Sequence, residues 1–185
     1  MVAKRIERSV ALIIALLIAS HFPCAAACDI SDHARYAAYR PFLQVTTDEI
    51  TAVYKKNDNY SFNAASEELT KKNVPLLKVG DAWAVRLLIG LGLFTAMATN
   101  KEPLDVTFKL ACEAAKRGLA PRNVADPLTC AVIALYGSRR DNAVNRALAI
   151  DMLELAKTNL ASDVDPADAR HRLEIVAPVI KDCAS

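Results

Sequence analysis

The stretch AWAVRLLIGLGLFTAMAT, residues 82–99, decides the fold because, wound as a helix, it is apolar around most of its circumference. Its one charge is Arg86, which leaves twelve charge-free residues at 87–98, whereas a helix needs about 20 apolar residues to cross a bilayer. An arginine in the middle of a membrane span is also costly. The segment therefore predicts the central helix of a packed bundle, and we expect no transmembrane segment beyond residue 27.

The composition around this segment favours helices. Glycine occurs five times in 185 residues, while alanine and leucine are abundant. No stretch beyond residue 27 shows sustained two-residue alternation of β-branched and aromatic residues, so no strand is predicted. We therefore expect an all-α fold, either an antiparallel helical bundle or a short α-solenoid, of about eight helices.

Helix boundaries are well marked in the second half of the chain. The Asp-Pro pairs at 126–127 and 165–166 predict helix starts, because the carboxylate caps exposed amides and proline suits the first helical position. Gly118 and Gly137 predict helix ends, where the backbone turns left-handed. These signals predict about five helices over residues 81–183.

The first half carries weaker signals. Ser31 is the predicted cap of a short helix that Pro41 ends or kinks. The Thr-Thr-Asp-Glu sequence at 46–49 resembles a capping box and predicts the start of a second helix. A third helix is predicted over residues 62–72.

The amino-terminal residues are typical of an export signal. Three basic residues precede the apolar run VALIIALLIA, residues 10–19, and small side chains follow at Ala25 and Ala27. This layout predicts a secretory signal peptide over residues 1–27, followed by a single all-helical domain over residues 28–185. We expect an exported protein, periplasmic or secreted.

Removing the predicted signal peptide balances the charge of the chain. Residues 28–185 contain 20 basic and 20 acidic side chains. Nucleic-acid binding requires a concentrated positive surface, so nucleic acid is not an expected partner.

The predicted mature chain begins with a cysteine, which allows two interpretations. The sequence around Cys28 resembles the lipobox of bacterial lipoproteins, with Ala25 where leucine is usual, and this resemblance implies lipid attachment at Cys28 and a membrane-anchored protein. Alternatively, Cys28 forms a disulfide with Cys183 that joins the two ends of the domain.

Cys112 and Cys130 flank a predicted turn at residues 118–126. At 1.5 Å per residue, Cys112 lies about 9 Å before the turn and Cys130 about 6 Å after it, at similar levels in an antiparallel helix pair. A disulfide between them is therefore feasible and would stabilise the fold by roughly 3 kcal/mol. The alternatives are two reduced core thiols or a catalytic or metal-binding role. No histidine base or close-spaced ligand motif supports that role, so we expect neither catalysis nor a metal or other cofactor.

Two segments of the second half are similar to each other. KLACEAAKRGLA, residues 109–120, aligns with IDMLELAKTNLA, residues 150–161, and an apolar helix precedes each. The AAKRG sequence at 114–118 resembles the end of the second helix in tetratricopeptide and Sel1-like repeats, and the resemblance covers residues 82–161. It implies a scaffold that binds proteins or peptides on its helix faces.

Function is therefore expected to reside in binding. Arg86 lies among apolar residues in the sequence and is interpreted either as a packing residue whose charged end reaches water or an acid, or as a contact for an anionic group. Arg139 and Arg140 are expected to steer a partner from an inter-helix loop. We expect another envelope protein as the partner, with an immunity-type inhibitor of an envelope-targeted toxin as a special case. The alternatives are an accessory envelope lipoprotein and a cell-wall hydrolase that uses paired acids such as Glu67 and Glu68.

Overall fold

A computed structural model describes residues 30–56, 61–101, 105–118, 125–136 and 143–185. These residues contain seven α-helices and no strand, which confirms the predicted all-α fold. The helices are α1 (Asp32–Tyr54), α2 (Phe62–Asn73), α3 (Ala82–Ala98), α4 (Asp105–Lys116), α5 (Ala125–Tyr136), α6 (Ala143–Asn159) and α7 (Pro166–Ala184). A 3₁₀ segment, Val74–Val79, joins α2 to α3, and a 3₁₀ turn, Leu160–Ser162, follows α6.

Local signals place most of the helix boundaries correctly. Helices α3 to α7 are the five predicted over residues 81–183. Asp165 caps α7 by accepting a hydrogen bond from the Asp168 backbone N–H at 3.1 Å. Gly118 follows α4 with φ 56°, the left-handed geometry predicted for a helix end. The Asp126 side chain and Gly137 lie outside the described residues.

The helices are arranged around α1. It packs against α2, α3, α5 and α7, whereas the even-numbered helices pack mainly against their two neighbours along the chain. The main hydrophobic core lies between α1 and helices α3 to α7, with Phe42, Ile89, Val132 and Val176 among its fully buried members. A smaller core joins α1, α2 and α3 through residues such as Ile50, Leu69 and Leu87.

Helix α1 corrects the predicted break at Pro41. The helix runs without interruption from Asp32 to Tyr54, with Pro41 inside it. The predicted helix start at residues 46–49 is therefore wrong. Thr46 lies in mid-helix, fully buried, and its Oγ1 donates to the Phe42 carbonyl four residues earlier at 2.9 Å. The predicted cap at Ser31 is confirmed, since its Oγ accepts from the Ala34 backbone N–H.

Helix α7 supplies the donors that allow α1 to continue through Pro41. Proline has no N–H, so the Ala37 carbonyl four residues earlier receives no helical hydrogen bond from it. Arg172 is 3% exposed, and its Nε donates to that carbonyl at 2.6 Å. Its Nη2 donates to the adjacent Ala38 carbonyl at 2.9 Å, and Thr129 Oγ1 of α5 donates to the same oxygen at 2.8 Å. The buried Ala38 carbonyl of α1 thereby accepts hydrogen bonds from both α5 and α7.

Two glycines let α3 approach its neighbours closely. A Cβ atom on Gly90 would overlap Thr46 Oγ1 of α1 and lie 2.7 Å from the Phe42 carbonyl oxygen. A Cβ atom on Gly92 would overlap Thr107 Oγ1 of α4. The predicted central helix therefore fits between α1 and α4 because both contact points lack side chains.

The two similar segments found in the sequence occupy equivalent positions. Residues 109–116 of the first lie in α4 and residues 150–159 of the second lie in α6, and the apolar helices before them are α3 and α5. Each segment lies on a helix that packs mainly against its two neighbours along the chain. In the part of the chain that is described, no helix has the length and hydropathy that a membrane crossing requires.

We expect Arg172→Met to lower the free energy of unfolding by about 1–3 kcal/mol, because it leaves the buried Ala37 carbonyl on α1 without a donor. Pro41→Ala restores an N–H for the Ala37 carbonyl, so the same substitution should cost about 1 kcal/mol less in a Pro41→Ala background. Urea unfolding of the four proteins measures this coupling. Arg170→Met, at an exposed site on the same helix, is the control. An equal loss of unfolding free energy from Arg172→Met with and without Pro41→Ala would show that Arg172 does not compensate for the missing N–H of Pro41.

Gly90→Ala should also destabilise the protein, by about 1–3 kcal/mol, because the added methyl group has no space between α3 and α1. The sign of this change in unfolding free energy is informative, because alanine is otherwise favoured over glycine in a helix interior by about 1 kcal/mol. Removing the nearest atom with Thr46→Ala should recover part of the loss. A thermal unfolding midpoint above that of the unmodified protein would contradict the close approach.

Candidate functional site

A cavity with a mainly apolar lining lies beside α4. Its volume is about 300 Å³, and it opens between the 3₁₀ segment, the start of α3 and one face of α4. We call it the α4 groove. The described residues that line it are Leu77, Val85, Val106, Lys109, Leu110, Glu113, Ala114 and Arg117.

Helix α4 has two faces that serve different purposes. Thr107, Ala111, Cys112 and Ala115 are buried against the rest of the bundle. The groove-lining positions run along the other side at helical spacing, from 106 through 109, 110 and 113 to 117. One helix therefore contributes to the core with one face and forms a wall of the groove with the other.

The interior of the groove is apolar and its rim is charged. Leu77, Val85 and Leu110 supply aliphatic surface from three different elements. At the rim, Arg117 Nη2 donates to Glu113 Oε1 at 3.0 Å, so these opposite charges are paired. Lys109 lies one helical turn before Glu113 and, among the described residues, has no carboxylate partner. Among the described lining residues, Lys109 is therefore the charged side chain without an ion-pair partner.

A tight turn closes one end of the groove. Gly80 follows the 3₁₀ segment with φ 72°, a conformation that residues with a Cβ rarely adopt. Arg117 Nη1 lies 3.2 Å from the place that a Cβ on Gly80 would occupy. The glycine thus permits both the turn and the position of the Arg117 guanidinium group.

Exposed apolar side chains continue from the groove onto the neighbouring surface. The 3₁₀ segment has no buried residue, and Val74, Leu76 and Val79 are 47%, 38% and 79% exposed. Val106, at the mouth of the groove, is 64% exposed. Clustered apolar exposure of this kind is typical of surfaces that bind other molecules.

Of the arginines predicted to contact a partner, Arg86 lies in the described part of the chain. Arg86 is 9% exposed on α3, and its guanidinium carbon lies 5.7 Å from the centre of the Phe42 ring, a distance that permits cation–π attraction. The Phe42 ring is thus one neighbour of this guanidinium group in the packed bundle, and the predicted contact of Arg86 with a partner stays a prediction. Arg139 and Arg140 lie outside the described residues.

Cys112 of α4 and Cys130 of α5 form a disulfide bond with their Cα atoms 5.2 Å apart. Both cysteines are buried in the main core, and the bond joins two adjacent helices as predicted. Cys183 near the end of α7 is also disulfide-bonded. Cys28 lies outside the described residues, so its pairing with Cys183 and its lipidation both stay predictions.

The acidic pair proposed for a hydrolase is exposed on α2. Lys71 Nζ lies 2.7 Å from Glu67 Oε1, and this hydrogen bond and the lysine charge lower the pKa of Glu67. A catalytic general acid requires a raised pKa, so Glu67 is shifted in the opposite direction. Within the described ranges, histidine, cysteine and acidic side chains form no cluster that could hold a metal ion.

Sequence reasoning missed most of the α4 groove. Leu77, Leu110, Glu113 and Arg117 are not among the residues predicted to form a site. One available signal was the spacing of Val106 and Leu110, two apolar residues four apart on the side of α4 opposite Ala111 and Cys112. An apolar pair on a second face of an amphipathic helix indicates a second packing surface.

Replacing Cys112 and Cys130 together by alanine should lower the free energy of unfolding by about 3 kcal/mol, because the unfolded chain loses a crosslink over a short loop. Denaturant unfolding of the oxidised proteins measures the change. Cys183→Ala, which removes the other disulfide, serves as the control for general thiol effects. A double variant as stable as the unmodified protein would contradict a stabilising role for the bridge.

Comparison with known proteins finds no relative of this chain. No family model, no curated protein and no solved structure matches it. The resemblance of residues 82–161 to tetratricopeptide and Sel1-like repeats therefore remains a prediction from the sequence. The groove and its chemistry must be interpreted from their own geometry.

Proposed function

We propose that this chain is an exported helical protein that acts by binding another protein in the cell envelope. The observation that carries the proposal is the α4 groove, where exposed Val106 and the apolar 3₁₀ segment adjoin a cavity with a charged rim. Export is proposed from the basic and apolar pattern of residues 1–27. Burial of this apolar surface by a partner would supply the main driving force for binding.

The side chains around the groove favour binding over catalysis. Glu113 is the one carboxylate among its described lining residues, and Arg117 holds it in an ion pair. The same lining contains no cysteine, serine or histidine that could act as a nucleophile or a base. These residues can contribute shape, apolar surface and charge, which are what recognition requires.

Within this proposal, an immunity-type inhibitor of an envelope-targeted toxin is a special case, because a small exported helical protein can act by occupying a toxin's surface. The alternative is an accessory envelope lipoprotein anchored through a lipid on Cys28. A diacyl or triacyl group on Cys28 changes the intact mass of the mature protein, so mass spectrometry distinguishes the lipoprotein from the free exported form. A cell-wall hydrolase is the third alternative.

Affinity capture tests the proposal. The full-length protein is expressed in a bacterial host, and its exported form is immobilised, incubated with envelope extract and analysed by mass spectrometry. We expect a specific protein to be retained, and Val106→Glu should lower its recovery at least about tenfold, equivalent to roughly 1.4 kcal/mol of binding energy. The matched control is Val164→Glu, at a 69% exposed valine that does not line the groove.

Two outcomes would count against the proposal. Retention of the same protein by the Val106→Glu variant would show that the partner does not bind at the α4 groove. Recovery of no specific protein from envelope fractions would remove the proposed partner altogether. Circular dichroism of each variant verifies that the helical fold is intact.

A further inference from the structure

We propose that the α4 groove recognises a partner segment with one aliphatic or aromatic side chain and an acidic residue close to it. The apolar side chain enters the cavity, and the carboxylate pairs with Lys109. This inference rests on the proposed function, because it specifies the chemistry of the partner at the same site. It commits to a peptide segment of another protein as the occupant.

The size of the groove argues for a single inserted side chain. A volume of about 300 Å³ is at the lower end of the roughly 300–1,000 Å³ found for small-molecule pockets. Leu77, Val85 and Leu110 surround this space with aliphatic atoms, and Ala114 contributes a small side chain. A leucine- or phenylalanine-sized group can therefore be desolvated there while the rest of the partner segment lies on the rim.

The charge of the rim argues for an acidic neighbour. Glu113 and Arg117 form an ion pair at 3.0 Å, so Lys109 is the charged side chain among the described lining residues that has no ion-pair partner. Lys109 is exposed and lies between Val106 and Leu110 in register with the apolar lining. A carboxylate within one turn of the inserted side chain would reach it. Complementarity of this kind contributes more to selectivity than to total affinity.

The exposed apolar surface indicates where the rest of the segment lies. Leu76 and Val79 are exposed on either side of the groove-lining Leu77 in the 3₁₀ segment. Val106 is exposed on the facing helix α4. A partner segment lying along this surface would cover side chains on both walls, while its acidic residue faced Lys109.

A random 12-residue peptide library displayed on phage and selected on the purified mature protein tests the inference. We expect the recovered peptides to combine a leucine, isoleucine or phenylalanine with an aspartate or glutamate within four positions. Selection on the Lys109→Glu variant should instead recover peptides with lysine or arginine at that spacing. A synthetic peptide from the first selection should bind this variant about tenfold more weakly, because attraction is replaced by repulsion.

The matched control is Lys181→Glu, which makes the same charge change at an exposed position outside the groove. It should recover the same peptides as the unmodified protein. Recovery of basic instead of acidic peptides on the Lys109→Glu variant is a result that a purely structural role of the lysine would not produce. Thermal unfolding of both variants verifies that they are folded.

Several results would overturn the inference. Recovery of no peptides, peptides without acidic enrichment, or an unchanged preference with Lys109→Glu would each do so. Stoichiometric binding of dodecanoate without peptide recovery would assign the groove to an alkyl carboxylate instead. Dimerisation that Val106→Glu abolishes, measured by sedimentation, would assign it to a second copy of the chain.

The two proposals fail separately. Capture of an envelope protein that depends on Val106 but is unaffected by Lys109→Glu would preserve the proposed function and reject the acidic partner segment. Acidic, apolar peptides that bind the groove without any captured envelope protein would preserve the groove chemistry and reject the proposed function.

Discussion

The hydrogen bonds from Arg172 to the carbonyls of Ala37 and Ala38 support the helix around which the other helices are arranged. α1 contacts α2, α3, α5 and α7, yet it contains a proline that leaves a buried carbonyl without its usual donor. The required donor comes from a residue 135 positions later in the chain. Because a buried acceptor without a donor is costly, docking of α7 and continuity of α1 are coupled. The guanidinium group of Arg172 suits this position because it can donate to two carbonyls at once.

The position of α3 shapes the α4 groove. Gly90 allows α3 to approach α1, and Gly92 allows it to approach α4. Val85 of α3 and Leu110 of α4 consequently face a common cavity. The disulfide between Cys112 and Cys130 links α4 to α5 in the main core, so the groove wall is held from the side opposite the groove. A preorganised wall loses little conformational freedom when a partner binds.

Much of the fold could be predicted because its signals are local. Ser31, Asp165 and Gly118 act within one helical turn, so their side-chain and backbone chemistry specifies helix ends without reference to the rest of the chain. The scarcity of glycine and the absence of alternating patterns were sufficient for the all-α class. The prediction failed at Pro41, where the local rule that proline ends a helix was overridden by Arg172.

The candidate site likewise depends partly on local sequence signals and partly on tertiary packing. Amino-acid sequence alone determined the helical class, most helix boundaries and the suitability of Cys112 and Cys130 for a bridge, since each depends on neighbouring residues or on a short turn. Tertiary structure decided that α1 is continuous and that Leu77, Val85 and Leu110 meet in one groove. Those features depend on distances between residues far apart in the chain. Side-chain periodicity specifies which face of a helix is apolar, but only the packing of several helices determines what that face meets.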